Sequence, residues 1–448
     1  MVRYLLLWVL LAADFSTRLA AAGDYAIVVS AATQQNDEWA QVTAALRKKY
    51  DVPPSQQFIY TKQPEECLVD LRRMHPRYTC FVVRPDEATR EFIAQVHQLT
   101  RRYDDDPYAD TLWGVLTGFD AACACRIAEQ REPLVVRKVA SGTEVALDMC
   151  HEGLWYDELV KNKLVRKDAG QSARQASGPD DTTQALVDTL NDYQADLFVT
   201  SGHATERDWM IGFRYRNGFF RSRAGQMYGQ DSQGKEIPID SPNPKVYLPI
   251  GNCLMGHIDG RDSMALAWMN DVGVRQMIGY TVPTWFGYAG WGCLDYFVEQ
   301  PGRYTLAEAF MANQHALIHR LETAEPDSRG LQYDRDVVAF YGDPKWEARM
   351  ESMKKAYDQE LKIENGDYVF TITPRRGDAS FQPINTNGSQ RGWRPIVAFL
   401  PHRVANVRVE SGADLQPTIT DDFVLIPNPK NCDPQREYRV VFHADPIE

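Results

Sequence analysis

Short β-branched runs alternate with amphipathic stretches in two parts of this chain. Such an alternation calls for a parallel α/β sheet, because each connection between parallel strands must cross back over the sheet, usually as a helix. In the first part, residues 24–30 (DYAIVVS), 57–60, 79–83 and 112–117 (LWGVLT) read as strands. Between them, 38–49 gathers Trp39, Val42 and Leu46 on one helical face, and 88–103 does the same with Phe92, Val96 and Leu99. In the second part, 183–191 reads as a helix and 196–201 (DLFVTS), 246–250 (VYLPI) and 274–280 (VRQMIGY) as strands. Asp262 and Ser263 open a helix over 264–269 that Gly273 can end, and the alanine-rich segment 306–321 forms a longer one. Residues 161–183, rich in Lys, Asp, Ser, Gly and Gln, are expected to be a surface loop, and the charged segment 345–364 a closing helix.

Beyond that the period shortens. Segments 368–373, 396–400, 404–409, 423–426 and 438–442 are brief strands separated by Gly, Pro, Asn and Asp, which suggests a small all-β, Ig-like sandwich. At the other end, Arg3, the apolar run 4–13 and Ala20-Ala21-Ala22 have the order of an export signal, and the run is shorter than the ~20 residues a spanning helix needs. The expected organisation is a signal peptide over 1–22, α/β subdomains over 23–150 and 151–364, and a β-sandwich over 365–448. The product is expected outside the cytoplasm, with no membrane insertion once the signal is removed. A net charge of −12 argues against nucleic acid or anionic membranes as partners. Eight cysteines are too few for a disulfide scaffold in 448 residues, and Cys123-Ala-Cys125 lacks zinc-ribbon spacing.

Two of the strands end in the same way. Leu197-Phe198-Val199-Thr200-Ser201-Gly202 runs into His203, and Val246-Tyr247-Leu248-Pro249-Ile250-Gly251-Asn252 runs into Cys253. Function in parallel α/β sheets gathers at the carboxyl ends of strands, so the two residues meet if the strands are neighbours. A free thiol with pKa near ~8.5 is mostly protonated at neutral pH, and an adjacent imidazole can take its proton and later return one to a leaving amine. The backbone N–H groups of Ala204 and Cys253, where the chain leaves each strand, are the natural donors to an oxyanion.

The segments Ser201-Gly202-His203-Ala204-Thr205-Glu206-Arg207-Asp208-Trp209 and Ile250-Gly251-Asn252-Cys253-Leu254-Met255-Gly256 resemble the His and Cys blocks of the gingipain-like cysteine peptidases, relatives of the caspases. Ala265-Leu266-Ala267-Trp268-Met269, Thr284-Trp285 and Tyr341-Gly342-Asp343-Pro344 follow in that family's order. The resemblance implies a caspase-like α/β fold, His203 as general base and acid, Cys253 as nucleophile, and Trp285 as a wall of the substrate pocket. It also implies a peptide or protein substrate and a carboxylate that orients the histidine, for which Glu144, Asp148 and Glu152 lie in a suitable stretch. No cofactor is required by this chemistry. Family members often bind calcium, which leaves room for a structural calcium, although no EF-hand loop occurs. The family's glycine after the histidine is Ala204 here, which would be strained if that position required positive φ.

Two other readings compete. His203, Cys253, His257 and Asp259 could form the ligand set of a metal hydrolase, although Gly256 and Gly260 argue against a regular helix there. The aromatic run Trp285-Phe286-Gly287-Tyr288-Ala289-Gly290-Trp291-Gly292, read as a loop, could line the groove of a non-catalytic peptide- or glycan-binding module.

Overall fold

The computed structural model describes residues 24–324 and 328–447, so the expected signal peptide lies outside the described residues. Its centre is a 12-stranded sheet. The strands, in chain order, are β1 (Tyr25–Ser30), β2 (Gln57–Tyr60), β3 (Tyr78–Val82), β4 (Leu112–Leu116), β5 (Lys138–Ser141), β6 (Glu152–Tyr156), β7 (Lys163–Lys167), β8 (Arg174–Ser177), β9 (Leu197–Gly202), β10 (Lys245–Asn252), β11 (Val274–Tyr280) and β12 (Val338–Gly342). Across the sheet they lie in the order β2-β1-β3-β4-β12-β11-β10-β9-β5-β6-β7-β8.

The pairing divides the sheet into two parallel blocks. β2, β1, β3, β4 and β12 run one way, and β11, β10, β9, β5 and β6 run the other. The antiparallel pair β11/β12 joins them. β1 and β4 are buried at every residue, as expected of a parallel sheet covered by helices on both faces. The architecture is therefore mixed α/β: one large, mostly parallel sheet flanked by helices, with smaller antiparallel sheets beside it. Among the flanking helices, Asp37–Tyr50 buries Trp39, Val42 and Leu46, and Leu306–Glu322 opens with a capping box between Thr305 and Glu308.

Three expectations are corrected. The segment 161–183 is not a plain loop but carries the hairpin β7–β8, which extends the sheet antiparallel beyond β6. Its poor apolar content has a cause: β8 is the edge strand, exposed at all four residues. The charged segment 345–364 is not a helix. Tyr357–Glu364 is a strand pairing with Asp367–Pro374 across Asn365 (φ 54°) and Gly366 (φ 93°), the paired positive φ values of a tight hairpin turn. This strand is largely exposed on a sheet edge, so its charges gave it the look of a solvated helix. It belongs to a four-stranded antiparallel sheet with Tyr438–Pro446 and Val404–Ser411. A second sheet of Ile396–Phe399, Phe423–Ile426 and Thr418–Ile419 shares a core with it through Tyr368, Phe370, Ile396, Val424 and Phe442. Val397, Phe423 and Leu425 pack instead into the main core, which fastens this β region to the α/β unit.

The third correction concerns the aromatic run. Tyr288–Phe297 is a helix with every residue buried, so only Trp285, Phe286 and Gly287 of the run remain in a loop. The glycines that suggested a loop serve close packing. A Cβ on Gly290 would lie 2.3 Å from the carbonyl oxygen of Ile250 in β10, and one on Gly292 would lie 2.0 Å from Asn313 Oδ1. Asp295 on this helix takes Nε–H bonds from Arg391 (2.6 Å) and Arg394 (2.9 Å), all three side chains being buried.

Candidate active site

β9 and β10 are hydrogen-bonded neighbours running parallel, with Gly202 opposite Asn252 on the last rung. The next residue on each strand is His203 or Cys253, so the adjacency that the sequence required is present. The register slips by one residue on the way: Thr200 pairs with Pro249 and Ser201 with Gly251, leaving Ile250 without a partner in the ladder. A slip of this kind is a place where an interior strand can hold a proline, which has no N–H to give.

Asn252 locks the two ends together. Its side chain is buried, accepts from Thr200 Oγ1 (2.6 Å) and donates to the carbonyl of Gly202 (3.0 Å). Trp209, also buried, donates its indole N–H to the carbonyl of Ser201 at 2.7 Å. The chain leaves β9 through Gly202 at φ 91°, a left-handed conformation that glycine adopts without strain. Ala204 does not have positive φ, so no strain attaches to the alanine at that position. It sits in a short hairpin, bridged to Trp209, with His203 accepting from Met210 N–H.

After Cys253 the chain turns through Leu254 (φ 57°) and runs along the end of β11, where Leu254 and Gly256 donate to the carbonyls of Val282 and Tyr280. His257 closes a tight turn onto Leu254 rather than a helix, and Asp259 pairs with Arg207 at 2.6 Å. Among the described residues, His203, Cys253, His257 and Asp259 do not converge as metal ligands.

Cys253 is a free thiol, as are the other seven cysteines. Its Sγ accepts from the N–H of Thr284 at 3.3 Å, and Thr284 Oγ1 donates to the carbonyl of Asn252 at 2.8 Å. The exposed imidazole of His203 stacks on Phe213, with ring centroids 4.8 Å apart. Imidazole and thiol are not hydrogen-bonded to each other, which is common where such groups close only on a substrate. The N–H groups of Ala204 and Cys253 have no hydrogen-bond partner among the described residues. Trp285, the residue after Thr284, is 59% exposed and meets Tyr333 edge-on at 5.5 Å.

The sequence left the orienting carboxylate open among three residues. Glu152 begins β6 opposite Lys138, at the amino end of the block and away from His203, and Asp148 lies exposed just before it. Glu144 follows β5 at the carboxyl edge without an ion pair or hydrogen bond of its own among the described residues. The acid that borders the strand end is Glu158, two residues beyond β6. Its side chain is buried, Oε1 accepts from Thr143 Oγ1 at 2.7 Å, and Oε2 lies where a Cβ on Gly202 would meet it at 3.3 Å. Burial pushes this carboxyl above the ordinary carboxylate range, and the Thr143 hydroxyl pulls against that. The Glu158 carbonyl accepts from the N–H groups of Phe213 and Arg214, so one residue anchors the loop that carries the ring under His203.

Five adjacent parallel strands thus deliver Thr284 and Trp285, Cys253, His203, Thr143 and Glu158 to one edge of the sheet. Glu158, Phe213 and Tyr333 escaped the sequence reading, and Thr284 entered it only as the residue before Trp285. Only Glu158 carried a signal, since Trp155-Tyr156-Asp157-Glu158 is another strand that ends in a titratable residue.

No family model matches this chain, and no curated protein matches it. Solved structures do align with it, two of which are as follows. One is described as the structure of a protease, with 9% identity and a TM-score of 0.44 over 95% of this chain and 98% of that one. The other is the complex of Porphyromonas gingivalis RgpB pro- and mature domains, with 10% identity and a TM-score of 0.47 over 95% of this chain and 100% of that one.

Proposed function

We propose that the protein is an exported cysteine endopeptidase in which Cys253 is the nucleophile and His203 the general base and acid. The observation that carries the proposal is the pairing of β9 with β10, which sets a free thiol and an exposed imidazole one residue beyond a shared rung. His203 takes the thiol proton and the thiolate attacks the scissile carbonyl carbon. The resulting oxyanion sits against the N–H groups of Ala204 and Cys253, which nothing else engages among the described residues. Collapse expels the amine, protonated by the imidazole, and leaves a thioester that water hydrolyses with His203 again as base. Glu158 would orient the imidazole, and Trp285 with Tyr333 would wall the substrate. Export rests on the signal pattern of residues 1–22.

The test is covalent labelling of the native protein by a library of peptide acyloxymethyl ketones, beside Cys253→Ala and His203→Ala. The proposal expects labelling that vanishes in both variants while their thermal unfolding is unchanged. A folded wild-type protein that no probe labels, or labelling that survives Cys253→Ala, would overturn it and favour a binding module.

A further inference from the structure

A second group of titratable side chains lies away from the thiol, at the amino ends of β3 and β4. The helix Leu68–Met74 ends at His75, and residues 100–110 lead into β4. Against them packs the turn Thr420–Asp422, which joins two strands of the C-terminal β region. Side-chain ligand atoms of His75, Asp104 and Asp110 lie within 4.8 Å of one another, and so do those of Asp104, Asp106 and Asp421. The buried Asp422 carboxyl lies in the same region. The facing cations are Arg403, bonded to one oxygen of Asp421, and Arg77 near Asp422. These two guanidiniums face the carboxyl groups of Asp104, Asp106, Asp110, Asp421 and Asp422.

The carboxylates are held ready by the backbone. Asp104 Oδ1 accepts from the N–H of Asp106 (2.8 Å), Asp106 Oδ1 from Tyr108 (2.7 Å) and Asp110 Oδ2 from Tyr103 (2.8 Å). The other oxygen of each of these three has no hydrogen bond among the described residues.

His75 points separately to a ligand. Its side chain is only 7% exposed, and its Nε2 is buried without a hydrogen-bond partner. That nitrogen stands 3.9 Å from Asp110 Oδ1 and 3.9 Å from Asp421 Oδ2, too far for a hydrogen bond to either and aimed between them. Imidazole nitrogens are common metal ligands, and this one has no other partner.

We propose that His75, Asp104, Asp106, Asp110 and Asp421 bind one divalent transition-metal cation of the manganese or zinc kind, which clamps the C-terminal β region to the α/β unit. Carboxylates alone would suit calcium, but an inward imidazole nitrogen in the set favours a softer ion. Two metal–ligand bonds of about 2.1 Å span at most about 4.2 Å, so the two groups of three, which share Asp104, must draw together around the ion for all five to ligate it. Asp421 is the ligand from the turn between the C-terminal strands, which is why occupancy would stiffen the junction.

The experiment strips the full-length protein with a chelator and adds MnCl2, ZnCl2 or CaCl2. Bound metal is counted by mass spectrometry after desalting, and thermal unfolding is followed in parallel. The expected result is one Mn2+ or Zn2+ per chain and a rise in Tm that grows with metal concentration. His75→Gln and Asp104→Asn should each weaken affinity by about tenfold or more. Asp106→Asn should do the same while raising the Tm of the stripped protein, because it removes a repelling charge. That pair of opposite signs distinguishes a cation site from a purely structural cluster. Absence of stoichiometric metal, or affinities unchanged in these variants, would overturn the proposal. Binding of Ca2+ alone, unaffected by His75→Gln, would overturn it as well.

Discussion

Asn252 donates its side-chain N–H to the carbonyl of Gly202 at 3.0 Å, across the last rung shared by the strands that end in Cys253 and His203. One buried amide therefore fixes the spacing of two groups that do not touch each other. Asn252→Ala should lower stability by about 1 to 3 kcal/mol, because Thr200 and Gly202 lose a buried partner. Labelling of Cys253 should fall by about tenfold or more, since small displacements of reacting groups are costly. Chemical denaturation and labelling kinetics on one preparation check both, and unaltered labelling in a destabilised variant would remove Asn252 from the site.

Glu158→Gln separates orientation from folding. Glutamine keeps an acceptor for Thr143 and removes a desolvated carboxylate, so stability should hold or rise slightly. If Glu158 orients His203, kcat on a peptide substrate should fall about 10-fold to 100-fold with KM little changed. An equal fall in kcat/KM caused by KM alone would assign Glu158 to substrate binding instead.

Asp334 gives a pH dependence with a definite sign. It is buried behind the Trp285 loop and accepts from Tyr280 (3.1 Å) and Ala289 (3.0 Å), and burial raises it from the ordinary 3.8 to about 6. Between those values the folded state keeps a proton that the unfolded state has lost. Its contribution to stability is therefore fully present below about pH 4, falls as pH rises and is gone above about pH 6. Stability of the wild type relative to Asp334→Asn should drop by about 3 kcal/mol at most across that window. A difference that is flat or rises with pH would refute the assignment.

Gly290→Ala should be among the more damaging single substitutions. The added Cβ would press on the Ile250 carbonyl, which is backbone and cannot swing aside. A loss of about 2 to 4 kcal/mol is expected, with reduced labelling because the displaced strand is the one that ends in Cys253. Gly260→Ala, where nothing stands within 4 Å, is the control and should stay within about 0.5 kcal/mol of wild type.

The strands of the parallel blocks were legible because both faces are covered, which writes each one as an unbroken apolar run such as YAIVVS or LWGVL. The signal failed where a strand buries no residue, as in Arg174–Ser177 and Tyr357–Glu364. Tyr357–Glu364 lies on an edge and carried helix-like charge, although the Asn365-Gly366 turn after it was there to be read. The aromatic helix was missed for the opposite reason: Gly290 and Gly292 look like loop residues until the strand and side chain they touch are known. At the site, His203 and Cys253 were legible as residues at strand ends, and their neighbourhood depended on β9 and β10 being adjacent. Glu158, Phe213 and Tyr333 come from other parts of the chain, and periodicity carries no information about which strand end lies beside which.

The unpaired Ile250 gives the strand end a reading frame. Were Ile250 paired in step instead, Gly202 would face Gly251 and His203 would face Asn252, which moves the thiol one rung on and turns it to the other face of the sheet. One further residue between Val246 and Cys253 would part thiol from imidazole, whereas loss of Ile250 alone would leave Gly202 opposite Asn252 and only straighten the strand. An added residue, more than most substitutions, is the change this strand end cannot absorb.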